Sequence, residues 1–306
     1  DGSVGNNRDN PLAGNNDLYD SLNYYNNLKV LMGAGSGNYN DNGQYDESKT
    51  DEYVGGDDAW SDITDGNAPN GWTFVESKED FEKVADGTLN PEKLLGVARV
   101  NGTLQQSRAN GASMNTKVPT LETMTKAALN VLDNNPEGFA VMIEGGAVDW
   151  AGHANQLDRV IEEQTDFNNA VQAVIDYLDN NTNGNNWGNT LLIVTADHET
   201  GHLWGDGKGS FFDVNGNGIF DDGTDYAHVT DKGMDNLPGV KFHSGNHTNA
   251  LVPLFAKGAR SEAFNFCVEG RDPNLKAMYD LDESWNGKYI DNTCVYQVMM
   301  SASFGE

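Results

Sequence analysis

Apolar residues along this chain occur as short continuous runs and as stripes at helical spacing, and long polar stretches separate them. Short apolar runs bounded by polar or glycine-rich sequence are typical of buried strands. They predict strands over residues 28–32, 139–144, 190–196 and 251–256. Apolar residues three and four positions apart predict helices over 79–85, 120–133 and about 157–180.

The order of these elements predicts the fold class. Apolar strands that alternate with helices are typical of a parallel sheet covered by helices on both faces. We therefore expect an α/β protein with a single domain over residues 1–306, because the sequence contains no repeat of whole units and no linker. The polar stretches near 38–71 and 201–240 are expected to be insertions, and residues 1–27 an irregular arm.

Charge limits the partners of the protein. The 306 residues include 19 Lys and Arg against 47 Asp and Glu, which gives a formal net charge of −28. A field of this sign repels nucleic acid and anionic membranes, so we expect neither as a partner. The acidic surface suits saline water or frequent cation binding, and equally a soluble exported protein of ordinary habitat. No run approaches the ~18 apolar residues of a membrane span.

The two cysteines of the chain, Cys267 and Cys294, both lie late in the sequence. A disulfide between them would hold the C-terminal segment and would suit an exported protein. Two buried free thiols are the alternative. The first residues lack the basic and apolar regions of a signal peptide, so we expect an exported form to be seen here after processing.

Carboxylates and imidazoles follow two of the predicted strands. Glu144 ends the strand 139–144, Asp149 and His153 follow it, and Asp197 and His198 follow the strand 190–196. Because parallel strands end at one edge of their sheet, we expect these side chains to converge there. Carboxylate oxygen and imidazole nitrogen are ligands of zinc, and carboxylate oxygen is a ligand of magnesium. The sequence therefore predicts the metal site of a hydrolytic enzyme.

A further imidazole is needed to complete this site. Asp149 and His153 are four residues apart, so on a helix they share one face and can hold one ion. His247 lies just before the strand 251–256 and is the expected third ligand, with His243 as its competitor. The other histidines, His202 and His228, are expected to cap, pack or face solvent.

Three motifs resemble the alkaline phosphatase family: Glu-Gly-Gly-Ala-Val-Asp-Trp-Ala-Gly-His at 144–153, Thr-Ala-Asp-His-Glu-Thr-Gly at 195–201, and Asn-His-Thr at 246–248. With weaker matches they recur in the family's order over residues ~28–298. The resemblance implies a three-layer αβα sandwich with a mostly parallel central sheet. It also implies hydrolysis of phosphate monoesters, a periplasmic or extracellular location, and a homodimer.

The family's metal ligands can be transferred to matching positions. The resemblance assigns Asp149, His153 and His247 to one zinc ion, Asp197 and His198 to a second, and Glu144 to magnesium. Two zinc ions ~4 Å apart can stabilise both the attacking and the leaving oxygen of a phosphoryl transfer. Trp150 lies where family members carry a residue that tunes contact with bound phosphate or its water, and packing against the sheet is its alternative role.

The family's serine nucleophile, which follows an aspartate in an Asp-Ser-Ala-like element, is not recognisable. Asp20-Ser21 is followed by Leu-Asn-Tyr-Tyr and lies at the wrong place in family order. We therefore expect a chain equivalent to the C-terminal two-thirds of the enzyme, incomplete for catalysis without its N-terminal segment. The alternatives are a phosphodiesterase or sulfatase of the same superfamily, or a catalytically silent metal-binding protein.

A second cation signature lies in the insertion 201–240. Residues 213–222 place oxygen side chains at positions 1, 3, 5 and 9, and glycine at position 6, of a calcium loop of the EF-hand type. Thr224 replaces the usual glutamate, and Asp222 or Asp225 could substitute for it. The candidate calcium-binding residues are Asp213, Asn215, Asn217, Ile219, Asp221 and Asp222. Residues 38–47 repeat the spacing more weakly, and for both segments an Asx-rich loop without an ion is the alternative.

Overall fold

The computed structural model describes residues 27–49, 56–180, 183–222, 224–272 and 287–304. Nearly all of the predicted N-terminal arm, including Asp20 and Ser21, lies outside the described residues. The chain divides into two compact units. The first unit comprises residues 1–150 and 159–176, and the second comprises residues 151–158 and 177–306.

The first unit contains a three-stranded parallel sheet. Its strands are β1 (Val30–Gly33), β2 (Trp72–Val75) and β3 (Lys93–Val97), in the order β1-β3-β2. The central strand β3 is covered on both faces, since its successive residues Leu94 and Leu95 are both buried. The predicted strand 28–32 is therefore confirmed, whereas β2 and β3 were not predicted.

Helices α1 (Asp57–Thr64), α2 (Lys78–Ala85) and α3 (Leu121–Leu132) also belong to the first unit. The predicted helices 79–85 and 120–133 are confirmed. Each begins at a side-chain cap, because the hydroxyls of Ser77 and Thr120 accept backbone N–H groups of the first turn. Phe81 of α2 packs so closely on β3 that a Cβ at Gly96 would lie 2.6 Å from its ring.

Helix α4 (Ala147–His153) and helix α5 (Leu157–Asn180) follow, and α5 has the predicted bounds. The predicted strand 139–144 is wrong: the structure assigns no strand there, and Met142 is 79% exposed. An apolar run forms a strand only where a neighbouring strand completes its backbone hydrogen bonds. No described strand pairs with this run.

The second unit contains short antiparallel pairs. β4 (Leu191–Val194) pairs with β11 (Phe255–Gly258). β4 confirms the predicted strand 190–196, whereas β11 overlaps the predicted strand 251–256 only at residues 255 and 256. The remaining strands are β5 (Glu199–Thr200), β6 (Leu203–Gly205), β7 (Phe211–Phe212), β8 (Tyr226–Ala227), β9 (Val240–Phe242), β10 (His247–Thr248), β12 (Val268–Arg271) and β13 (Lys288–Ile290). The pairs are β5 with β10, β6 with β9, β7 with β8, and β12 with β13. The insertion 201–240 is thus partly built from strands.

The C-terminal part of the second unit is tied by a disulfide. Cys267 ends a 3-10 helix (Ser261–Cys267) and is bonded to Cys294 in helix α6 (Thr293–Phe304). Phe264 and Val298 pack in the same apolar cluster. Of the two alternatives left open by the sequence, the structure therefore contains the disulfide.

In the first unit, strands and helices alternate from β1 to α3, as expected for the α/β class. Among the described strands, parallel pairing is confined to the β1-β3-β2 sheet. The three-layer sandwich around one mostly parallel sheet, and the single domain, therefore stay predictions. None of the described helices is both long and apolar enough to cross a bilayer.

Candidate metal centre

The second unit brings three imidazoles and a carboxylate together, and we call this group the imidazole cluster: His153, Asp197, His198 and His247. His198 immediately precedes β5, and His247 begins the antiparallel strand β10. Their rings stack with centroids 3.5 Å apart. Nε2 of His153, at the end of α4, lies 3.0 Å from Nε2 of His247. Nε2 of His198 lies 3.2 Å from Oδ2 of Asp197.

A backbone contact of His153 determines the tautomer of its neutral ring. Its Nδ1 lies 2.7 Å from the carbonyl oxygen of Gly245. A carbonyl can only accept, so in the neutral ring Nδ1 carries the proton and Nε2 keeps its lone pair. This is the tautomer that a metal-binding histidine adopts. The role of Gly245 could not be recognised from the sequence, because a backbone carbonyl has no side-chain signature.

The spacing of the cluster is close to that of a metal site. Two nitrogens bound to a tetrahedral zinc ion at ~2.1 Å each lie about 3.4 Å apart. The Nε2 atoms of His153 and His247, at 3.0 Å, are a few tenths of an ångström closer. The donor set of imidazoles and a carboxylate is one that zinc binds. Since His153 and His247 are exposed in the structure, their nitrogens are accessible to an ion.

The competing histidine lies elsewhere. The ring of His243 lies 5.8 Å from that of His202, and its Nδ1 is 3.6 Å from Oδ1 of Asp222. Burial lowers the pKa of His243 and outweighs the opposite effect of Asp222. Since it is His247 that contacts His153 and His198, the structure favours His247 as the third imidazole.

Comparison with known proteins identifies the family. The family model described as alkaline phosphatase matches residues 6–215. This chain belongs to the alkaline phosphatase family.

The similar proteins extend well beyond the matched stretches. Alkaline phosphatase 4 of Bacillus subtilis is 30% identical over 158 residues, which cover 50% of this chain and 31% of that protein. Alkaline phosphatase of Escherichia coli is 35% identical over 118 residues, covering 37% and 24%. The solved alkaline phosphatase of the Antarctic bacterium TAB5 is 25% identical, with a TM-score of 0.49 over 81% of this chain and 58% of that one. The chain therefore spans about a third or less of the curated relatives it matches.

The other candidate ligands of this family member lie in the first unit. Asp149 is in α4, one helical turn before His153 and on the same helix face, and is half-buried. Glu144 is exposed in the segment before α4, and Trp150 is 39% exposed. Their roles toward metal and phosphate stay predictions.

The candidate calcium loop folds into a compact turn. Oδ2 of Asp213 accepts the Gly218 N–H, and Oδ1 accepts the Gly216 N–H, both at 2.6 Å. These backbone hydrogen bonds lower the pKa of Asp213. The amides of Asn215 and Asn217 both donate to Oδ2 of Asp221. The structure thus gathers four candidate oxygen-bearing residues through Asx-type contacts, which both the calcium loop and its alternative allow.

Two further candidates in the insertion are arranged differently. Asp222 pairs with Lys241 instead, whereas buried Asp225 accepts the N–H groups of Val214 and Asp221. Asp225, and not Asp222, is therefore tied to the loop. In the weaker segment 38–47, Asp46 accepts from both the N–H and the hydroxyl of Ser48. Calcium binding at either segment stays a prediction.

Proposed function

We propose that this chain forms the metal-binding part of an enzyme that hydrolyses phosphate monoesters. The observation that carries the proposal is the fixed tautomer of His153, whose bare Nε2 meets His247 beside His198 and Asp197. Family membership supports the reaction class. With a net charge of −28, the protein repels an anionic ester, so bound cations would supply the missing local positive charge.

Different residues of the chain are proposed to bind different metal ions. His153 and His247, with Asp149 one helical turn away, would hold one zinc ion, and Asp197 and His198 would help to hold a second. The Gly245 carbonyl orients the His153 ring. When bound, zinc ions would polarise the phosphoryl group and stabilise developing charge on the attacking and leaving oxygens.

The N-terminal segment of the same enzyme is the proposed source of the serine nucleophile. The matched stretches are 31% and 24% of the lengths of the Bacillus subtilis and Escherichia coli relatives, which leaves room for a further segment. Residues 1–306 alone should therefore hydrolyse p-nitrophenyl phosphate poorly or not at all, since covalent catalysis needs a nucleophile. Co-expression with the N-terminal segment should restore zinc-dependent turnover. A homodimer and a periplasmic or extracellular location complete the proposal.

The matched control for this experiment is co-expression with the same segment after its candidate serine is replaced by alanine. That pairing should assemble without gaining activity. Robust turnover by residues 1–306 alone, in a preparation free of other phosphatases, would contradict the proposed division of the site. Turnover on a sulfate ester or a phosphodiester in preference to the monoester would favour the other superfamily hydrolases.

Glu144 is proposed to bind magnesium, not zinc. A single carboxylate among water ligands suits magnesium, which keeps much of its hydration shell. In the complete enzyme, Glu144→Gln should leave the zinc content near normal and remove the response of the rate to added magnesium. Metal analysis and a magnesium titration of the rate test this. Loss of zinc with intact magnesium activation would show that Glu144 is a zinc ligand.

A further inference from the structure

The carboxylate of Glu199 links two chain segments that carry cluster histidines. Its Oε2 accepts the hydroxyl of Thr248 at 2.5 Å, and its Oε1 accepts the backbone N–H of His202 at 2.6 Å. Both oxygens are therefore engaged by donors of this chain. Hydrogen bonds to an ionised acceptor are shorter and stronger than those between neutral groups.

These contacts lie directly beside the imidazole cluster. Glu199 follows His198, and Thr248 follows His247. In the β5–β10 pair Thr248 lies opposite Glu199 and His247 lies opposite Thr200. The pair has only these two rungs, so its backbone hydrogen bonds alone fix the register weakly. The side-chain bond between Glu199 and Thr248 adds a constraint at one of the two rungs.

The second contact of Glu199 stabilises the turn after β5. Gly201 has φ +91° and His202 has φ +48°, and a left-handed backbone is uncommon for a residue other than glycine. Glu199 captures the N–H of His202 in this conformation. The same turn receives the segment before β10, because the N–H groups of His243 and Ser244 both donate to the Gly201 carbonyl. Glu199 thus holds both the strand and the turn against which His247 is placed.

We propose that Glu199 is a positioning residue that sets the distance between His247 and His198 by binding Thr248. The inference rests on the proposed function, since it assumes that the imidazole cluster binds zinc. Glu199 acts through the histidines, because its two oxygens accept hydrogen bonds from Thr248 and His202.

The test is Thr248→Val, which keeps the side-chain shape and removes the hydroxyl. Zinc affinity, from competition with a chromophoric chelator, should fall about 10- to 100-fold, the usual effect of losing a ligand's supporting contact. The visible absorption spectrum of the cobalt-substituted chain should also change, because it reports ligand geometry. Thr248→Ser should restore both. Thr293→Val is the matched control, because it removes a hydroxyl–carboxylate bond of equal length, 2.5 Å, to Asp291.

Glu199→Gln supplies the second arm of the experiment. It should weaken zinc binding in the unsubstituted chain, and its loss should be less than additive with that of Thr248→Val, because both changes affect the Glu199–Thr248 contact. Fully additive losses, or a folded Thr248→Val chain with unchanged zinc affinity and cobalt spectrum, would overturn the inference. If the unsubstituted chain binds no zinc, the proposed function fails and the inference fails with it.

Discussion

Replacing His153 by alanine should lower the zinc affinity of the chain by more than ~100-fold, the upper end of the effect of losing a supporting contact. His153 offers a bare Nε2 to the cluster, and that lone pair is fixed by the Nδ1 contact to the Gly245 carbonyl. A direct ligand contributes more than the group that orients it, so its removal should exceed that value. His247→Ala should have a similar effect because its Nε2 faces that of His153.

Zinc competition titrations and circular dichroism measure this effect on affinity and on folding. The control is His228→Ala, since His228 lies outside the cluster and contacts the hydroxyl of Ser210 through Nδ1. The zinc affinity of the His228→Ala chain should equal that of the unsubstituted chain. If His153→Ala remains folded and keeps zinc affinity within a few fold, His153 is not a ligand. An equal loss of zinc affinity in His243→Ala would favour His243 as a zinc ligand.

The second large effect concerns the stability of the first unit at alkaline pH. Glu163 of α5 is 9% exposed, and its Oε1 has no hydrogen-bond partner within the described part of the chain. Burial, followed by repulsion from Asp166, raises the pKa of Glu163 to about 7. Arg108 acts in the opposite direction, but its closest acidic partner is Glu162, at 2.8 Å. A neutral carboxyl therefore suits this position better than a carboxylate.

The direction of the pH effect follows from proton binding. Below pH 4.5 the carboxyl is protonated in both the folded and the unfolded chain. Between pH 4.5 and about 7 only the folded chain keeps the proton, so the free energy of unfolding falls as the pH rises. Above about pH 7 the loss is complete and amounts to at most about 3 kcal/mol. Burial also raises the pKa of Asp166, which adds an effect of the same sign.

Glu163→Gln should therefore raise the free energy of unfolding at pH 8 by up to about 3 kcal/mol and flatten its decline between pH 5 and 7. Urea unfolding followed by tryptophan fluorescence measures this, because Trp60 and Trp72 are buried in the same unit. Glu137→Gln, at an exposed loop position, is the control and should change little. A destabilised Glu163→Gln chain at pH 8 would mean that the carboxylate makes a favourable ionic contact there.

The sequence predicted the long elements better than the short ones. Helix α5 has the predicted bounds because its 24 residues give many turns over which an apolar stripe can be recognised. β2 and β3 have four and five residues, and their partners are distant in sequence, so no local pattern marks them. The run 139–144 has a strand-like composition, but composition does not supply the neighbouring strand that would complete its hydrogen bonds.

The candidate site was predictable where chemistry resides in side chains. The motifs contain His153, Asp197, His198 and His247, and the structure places these four together. The supporting contacts were not predictable, since a carbonyl such as that of Gly245 looks the same at every position of a sequence. Glu199 is part of the motif at 195–201, but its contact with Thr248 follows only from the pairing of β5 with β10.

The covalent bond between Cys267 and Cys294 has a consequence for handling the protein. Closing a loop over 27 positions lowers the entropy of the unfolded chain enough to favour folding by roughly 3.5 kcal/mol. A thiol such as dithiothreitol would open this bond and would also bind zinc. In such a buffer, loss of the link to α6 and loss of metal would occur together and look alike. Only an oxidising, thiol-free preparation keeps the two events apart.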